Sequence, residues 1–134
     1  MLKKKHTRVV CAIIINGDKV LVARRATGQS HAGSWEFPGG KINTGEKPIT
    51  ALFREIREEF AVTVSIKKRL SSVTHDYESR SVELIPFVCS IKEGALMPVD
   101  HDEIRWIDRT KDSDVPLLPP DRVIWKEFIH KTRP

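Results

Sequence analysis

The stretch REIREEF, residues 54 to 60, packs three carboxylates and two guanidinium groups into seven positions. Carboxylates gathered on one surface suit hard divalent cations, which take oxygen ligands. The same string also suits a solvated helix face: Arg54 and Glu58 stand four apart, the spacing of a surface pair worth roughly 0.2–0.5 kcal/mol. On a helix that advances about 100° per residue, Glu55, Glu58 and Glu59 fall within one arc of about 100°. Ile49, Leu52, Phe53, Ile56 and Phe60 fill an adjoining arc of similar width and are expected to face the core. Ala51 falls inside the acidic strip, where its small side chain would leave room above the helix.

The elements around this strip are legible in outline. HTRVVCAIIINGDKVLVARR reads as a hairpin, with Asn16-Gly17 as a turn whose residues take positive φ. SWEFPGGKI follows a polar loop, and Pro38-Gly39-Gly40 is expected to exclude regular structure at its centre. Residues 48 to 60 form the helix, with Pro48 at its first position, where a missing N–H costs nothing. VTVSIKKRLSSVTHDY and SVELIPFVCSIKE alternate as strands do, and EIRWID is a short strand. LLPPDRVIWKEFIHKTR predicts a Pro-started second helix with Val123, Ile124, Trp125 and Phe128 turned inward. Strands mixed with two helices, in one domain spanning 1–134, define an α+β sandwich.

Bulk properties narrow the classes. With 134 residues, 40 % apolar and 31 % charged, the chain is expected to bury a real core and be soluble. The longest apolar run, VVCAIII, is too short to span a bilayer, so no membrane partner is expected. The start, MLKKKHTR, lacks the cleavage signal of a secretory peptide. Cys11 and Cys89 lie in strand-like runs and read as buried reduced thiols, consistent with a cytoplasmic location. The net charge of +5 favours an anionic partner, but much of the excess sits in the terminal KKKHTR and HKTRP segments.

From Gly40 the chain reads G-KINTG-E-KPITALF-REIREE-F-A-V. This resembles the Nudix box, G-x5-E-x7-R-E-U-x-E-E-x-G-U, with U a bulky aliphatic residue. Gly40, Glu46, Arg54, Glu55, Ile56, Glu58, Glu59 and Val62 match in register. The flanking WEFPGGK resembles the MutT branch of that family. The specific part of the resemblance covers residues 36 to 62, and a looser one covers residues 8 to about 130. Ala61 departs from the pattern, standing where the box has Gly; a left-handed cap on Ala would cost about 1 kcal/mol.

The resemblance implies an α/β/α sandwich, with a mixed β-sheet between the box helix and a C-terminal helix. It implies hydrolysis of a nucleoside triphosphate to a monophosphate and pyrophosphate with Mg²⁺, for which Mn²⁺ substitutes. Glu55, Glu58 and Glu59, with the Gly40 carbonyl, would hold the metal. Glu46 is either an outer ligand or a brace for its loop, and Arg54 orients the glutamates. The base that activates water is either Glu58 or Glu59 on the helix, or Glu103 in HDEIRW. Lys41 is placed to touch phosphates, or is a solvated loop lysine.

Arg25 occupies a position where relatives contact the nucleotide, and Glu36 and Phe37 would border the base pocket. Asp121, in a PPD context, either reads the base or caps the second helix. The candidate substrates are 8-oxo-dGTP, (d)CTP and 5-methyl-dCTP. A dinucleoside polyphosphate or nucleotide sugar is the alternative substrate class; a non-catalytic sensor or nucleic-acid binder is the third reading, disfavoured because every box glutamate is present. Monomer and homodimer are both compatible with the sequence.

Overall fold

The computed structural model describes residues 5–132, with side chains described through residue 129. The chain runs β1 (Lys5–Asn16), β2 (Lys19–Arg25), β3 (Trp35–Glu36), β4 (Gly39–Lys41), α1 (Pro48–Phe60), β5 (Thr63–Arg69), β6 (Val73–Asp76), β7 (Arg80–Glu93), β8 (His101–Asp108) and α2 (Pro119–Thr132). The strands join into one mixed sheet with β1 at its centre. β1 runs parallel to β7 from Lys5↔Arg80 to Ile14↔Cys89, and the other pairings are antiparallel. No helix among the described residues is long and apolar enough to cross a membrane.

Two-residue alternation along the central strands builds two cores. Val10, Ala12, Ile14, Leu21 and Ala23 pack with Leu52, Ile56 and Phe60 of α1. Cys11, Ile13, Val20 and Val22 pack with Ile124, Trp125 and Phe128 of α2. The sheet therefore lies between the two helices, and the expected α/β/α sandwich is what forms. Cys11 and Cys89 are buried free thiols, and burial pushes both thiol pKa values up, that of Cys89 to about 12.

Several local expectations are corrected. Gly39 and Gly40 do not interrupt structure but form β4, opposite Cys11 and Val10 of β1. A Cβ on Gly39 would overlap the Val10 carbonyl, so the missing side chain is what admits the strand. In the β1–β2 turn the loop residues are Gly17 and Asp18, and only Gly17 has positive φ, at 60°. That places Gly at the first central position, as in a II′ turn, rather than two positive residues centred on Asn16-Gly17. The strand-like run after α1 splits into β5 and β6 around Leu70–Ser72, opposite Pro86, which has no N–H for a ladder bond. Val123 is 52 % exposed and faces away from the core.

Helix α1 also turns differently from its wheel. Ala51, Leu52, Ile56 and Phe60 are buried, while Ile49 and Phe53 are exposed. The buried face is rotated toward Ala51, because α1 packs against β4 as well as β1. Ala51 is thus buried in the core rather than lying under open space. Lys47 is the N-cap in extended conformation and makes no side-chain cap bond. Ala61 takes the left-handed conformation at φ 61° and donates its N–H to the Arg57 carbonyl at 3.0 Å, as a capping Gly would.

Both ends of α1 are therefore improvable. Lys47→Thr supplies the missing acceptor, worth about 1 kcal/mol, and is expected to raise Tm by about 2–8 °C. A calorimetric Tm at or below that of the unmodified protein would mean that helix α1 does not start at Pro48 as described.

Candidate active site

The box helix and the strand before it are fastened by one side chain. The Arg54 guanidinium donates to Glu46 Oε2 at 2.8 Å and Oε1 at 2.9 Å, to Glu55 Oε1 at 2.8 Å, to Glu58 Oε2 at 3.2 Å, and to the Lys41 carbonyl at 3.0 Å. Glu46 also accepts the Asn43 N–H at 3.0 Å, closing the turn before α1. Its carboxylate is held down at about 2, chiefly by the Arg54 hydrogen bonds. Between its two readings, then, the geometry makes Glu46 a brace: both of its oxygens are spent on Arg54.

Gly40 lies directly against Glu55, and a Cβ there would overlap the Glu55 carboxylate. This is the chemical reason for glycine at the start of the box, and it also brings the backbone of residue 40 to the acidic strip. The pKa of Glu59 is raised to about 7, first by burial, then by the neighbouring Asp100 carboxyl and the negative charge of Glu55. Two carboxyl groups side by side favour a proton or a cation between them.

Among the described residues no three carboxylates or histidines already converge as a formed cation site. Glu55 and Glu58 instead point one oxygen each at Arg54, leaving their second oxygens outside that bond network. The donor set nonetheless fits a hard cation: two such oxygens, the Glu59–Asp100 pair, and a backbone that only glycine lets this close.

Beside Gly40 a cavity of about 330 Å³ opens, within the range of small-molecule sites. Arg25, Glu36, Phe37, Gly40, Lys41 and Asp121 all line it. The structure thus brings together every substrate-contacting candidate named from the sequence. Arg25 Nη1 donates to both oxygens of Glu36, at 3.1 and 3.0 Å. Phe37 is 2 % exposed and stacks on Trp125, so it is both core aromatic and cavity wall. Lys41 is exposed at the mouth.

Asp121 is not the cap of α2. It is the third residue of that helix, and its Oδ2 accepts the Phe37 backbone N–H at 2.9 Å. Burial, opposed by that hydrogen bond, raises its pKa to about 8. Glu103 is bound by Arg24 at 3.3 Å and Arg105 at 3.0 Å on the β2–β8 pair, and it does not line the cavity. The acid set against the helix carboxylates is Asp100.

Asp100 and His101 were missed from the sequence, as were His31, Tyr77 and Arg80 on the outer cavity wall. The run VDHDEIRW offers three acids within four residues, and spacing alone does not choose among them. The choice is made by a β-bulge, which sets Arg24 opposite Glu103 but Arg25 opposite His101. It is also made by the segment before β8: Met97 N–H donates to the Phe60 carbonyl at 2.9 Å and Val99 N–H to the Glu59 carbonyl at 3.0 Å. These bonds satisfy free carbonyls at the C-terminus of α1 and hold Asp100 beside Glu59.

Comparison with known proteins places the chain in a family. A family model described as the NUDIX domain matches residues 9–127, and the chain belongs to the Nudix family, whose hydrolases generally need a divalent metal ion. It is 30 % identical to the CTP pyrophosphohydrolase of Escherichia coli (strain K12) over 125 residues, covering 93 % of each chain. It is 35 % identical to the 8-oxo-dGTP diphosphatase of Proteus vulgaris over 89 residues, 66 % of this chain and 80 % of that one. The crystal structure of a MutT protein from Methanosarcina mazei Go1 superposes with a TM-score of 0.87 at 24 % identity, covering all of both chains, and shares the fold.

Asp121 gives the site a signature in stability. Its pKa rises from the ordinary 3.8 to about 8 on folding, so the folded state binds the proton more tightly than the unfolded state does. The stabilisation is complete below about pH 4 and is lost as pH rises toward 8. Tm is expected to fall between about pH 5 and pH 8, and Asp121→Asn is expected to shrink that fall. Parallel Tm–pH curves for the two proteins would show that Asp121 does not hold its proton in the folded state.

Proposed function

We propose that this protein is a nucleoside triphosphate pyrophosphohydrolase, releasing a nucleoside monophosphate and pyrophosphate. The observation that carries the reading is adjacency. Gly40 lines the cavity that holds Asp121, Glu36 and Arg25, and it touches Glu55 on the acidic flank of α1. One molecule with an aromatic, hydrogen-bonding end and a polyanionic end fits both halves at once.

Mg²⁺, or Mn²⁺ in its place, would be held by Glu55, Glu58, Glu59 and the Gly40 carbonyl. When bound, such ions neutralise polyphosphate charge and acidify a coordinated water. The chain's own groups do the rest. Arg54 keeps Glu55 and Glu58 turned toward the strip while Glu46 anchors Arg54. Glu59 and Asp100 form the pair that accepts a proton from the attacking water, and either can take it. Lys41, exposed at the cavity mouth, meets the phosphates. The overall charge of +5 favours approach of a tetra-anion.

At the other end, Asp121 and Glu36 present carboxyl groups to the base. A carboxylate accepts from the exocyclic amine of cytosine; a protonated Asp121 donates to a ring nitrogen or carbonyl. (d)CTP, 5-methyl-dCTP and 8-oxo-dGTP each offer such groups, and the relatives named for CTP and 8-oxo-dGTP support this set. The buried free thiols suit a reducing, cytoplasmic setting.

The direct test is pyrophosphate release from these nucleotides and their unmodified counterparts with Mg²⁺. Activity on one or more, lost with chelation and restored by Mg²⁺ or Mn²⁺, is the expected result. No release from any nucleotide with either metal would defeat the proposal. Glu58→Gln and Glu59→Gln are each expected to lower kcat by about 10²–10⁴-fold with Tm nearly unchanged. Near-normal turnover in both variants would remove the helix glutamates from the mechanism.

A further inference from the structure

The two halves of the site are joined by a residue that neither half requires for its own chemistry. His101, the first residue of β8, has a side chain only 7 % exposed. Its Nε2 lies 2.8 Å from Glu36 Oε2. A carboxylate can only accept, so Nε2 carries the hydrogen and donates it. With Nε2 committed, Nδ1 is buried without a hydrogen-bond partner among the described residues. The ring stacks on Phe60, the last residue of α1, with centroids 5.4 Å apart and planes 24° apart. Val99, two residues earlier in the chain, donates its N–H to the carbonyl of Glu59, the neighbour of Phe60. His101 therefore touches the cavity wall with its edge and the end of the box helix with its face.

Glu36 shows why this matters. Arg25 binds both of its oxygens through a single nitrogen, Nη1. One donor atom fixes distance but leaves the plane of the carboxylate free to roll. A second donor from a different direction removes that freedom. His101 is that second donor, and packing against Phe60 locks the orientation of its own ring.

We propose that His101 is a positioning residue for base discrimination: it fixes the Glu36 carboxylate in the cavity wall and references that wall to the C-terminus of α1. The proposal rests on the reading of the cavity as the base site. It assigns His101 no contact with the reacting phosphates, so its loss should weaken and blur base recognition while leaving the chemical step intact.

His101→Phe keeps the ring on Phe60 and deletes the donor; His101→Gln keeps a donor and deletes the ring. With the preferred nucleotide, His101→Phe is expected to raise KM about tenfold, the loss of one charge-assisted hydrogen bond, with kcat within about twofold of the original. It should also narrow the kcat/KM ratio between preferred and disfavoured bases, and His101→Gln should recover part of that ratio. Glu36→Gln should give a similar loss, and the double variant Glu36→Gln/His101→Phe should be no worse than either single one.

An unchanged KM and base ratio in His101→Phe, while Glu36→Gln or Asp121→Asn shifts them, would overturn the role of His101 alone. If Glu36→Gln and Asp121→Asn also leave the ratio unchanged, the base-site reading fails and this inference falls with it. Multiplicative losses in the double variant would likewise overturn it. Should His101→Phe not fold, the unmodified protein supplies the test. The His101 Nε2 resonance should shift on titration with the monophosphate product of the preferred substrate and not with ribose 5-phosphate; no difference between the two would overturn the assignment.

Discussion

The guanidinium of Arg54 is the contact on which the site depends. It binds Glu46 before the helix, Glu55 and Glu58 on it, and the Lys41 carbonyl of β4. Clustered carboxylates repel one another, and an exposed cluster would splay into solvent. A planar cation with five donors in a fixed fork can hold several of them at once in set directions, which an ammonium cannot do. Arg54 is a quarter exposed, so these bonds count more as geometry than as stability. What they secure is the angle between the β4 backbone and the acidic flank of α1.

That angle also explains the glycines. β4 approaches β1 on one side and Glu55 on the other, and neither approach leaves space for a Cβ. The cavity and the acidic strip are adjacent because Gly40 of β4 lines the cavity and lies against Glu55. A substrate could not span two sites separated by an ordinary side-chain layer with the same economy of structure.

Much of this was legible in the sequence. The register of Gly40, Glu46 and the REIREE string carried the box, and the alternating runs carried the strands and the sandwich. The helix bounds at Pro48 and Phe60 followed from Pro chemistry and apolar spacing. What was not legible depended on partners far along the chain. The wheel placed Ile49 and Phe53 in the core, because a wheel cannot show that the fold buries the Ala51 side instead. Asp121 had two readings, base contact or cap, and only the folded chain brings the Phe37 N–H to it. Asp100 was not singled out beside Glu103, because one inserted residue in β8 sets the register of both. These differences share a cause: periodicity reports a face, but tertiary packing decides which neighbour that face meets.

The segment from Met97 to Val99 is tied to α1 by two main-chain hydrogen bonds. Main-chain hydrogen bonds are indifferent to which side chains the segment carries, but not to how many residues it contains. Substitutions there are therefore cheap in evolution, whereas a one-residue insertion or deletion would displace Asp100 by about 3.3 Å, a full strand step. Between the fixed Gly94 and core-packed Leu96 at its start and the acid at its end, the loop between β7 and β8 is thus a ruler marked in lengths.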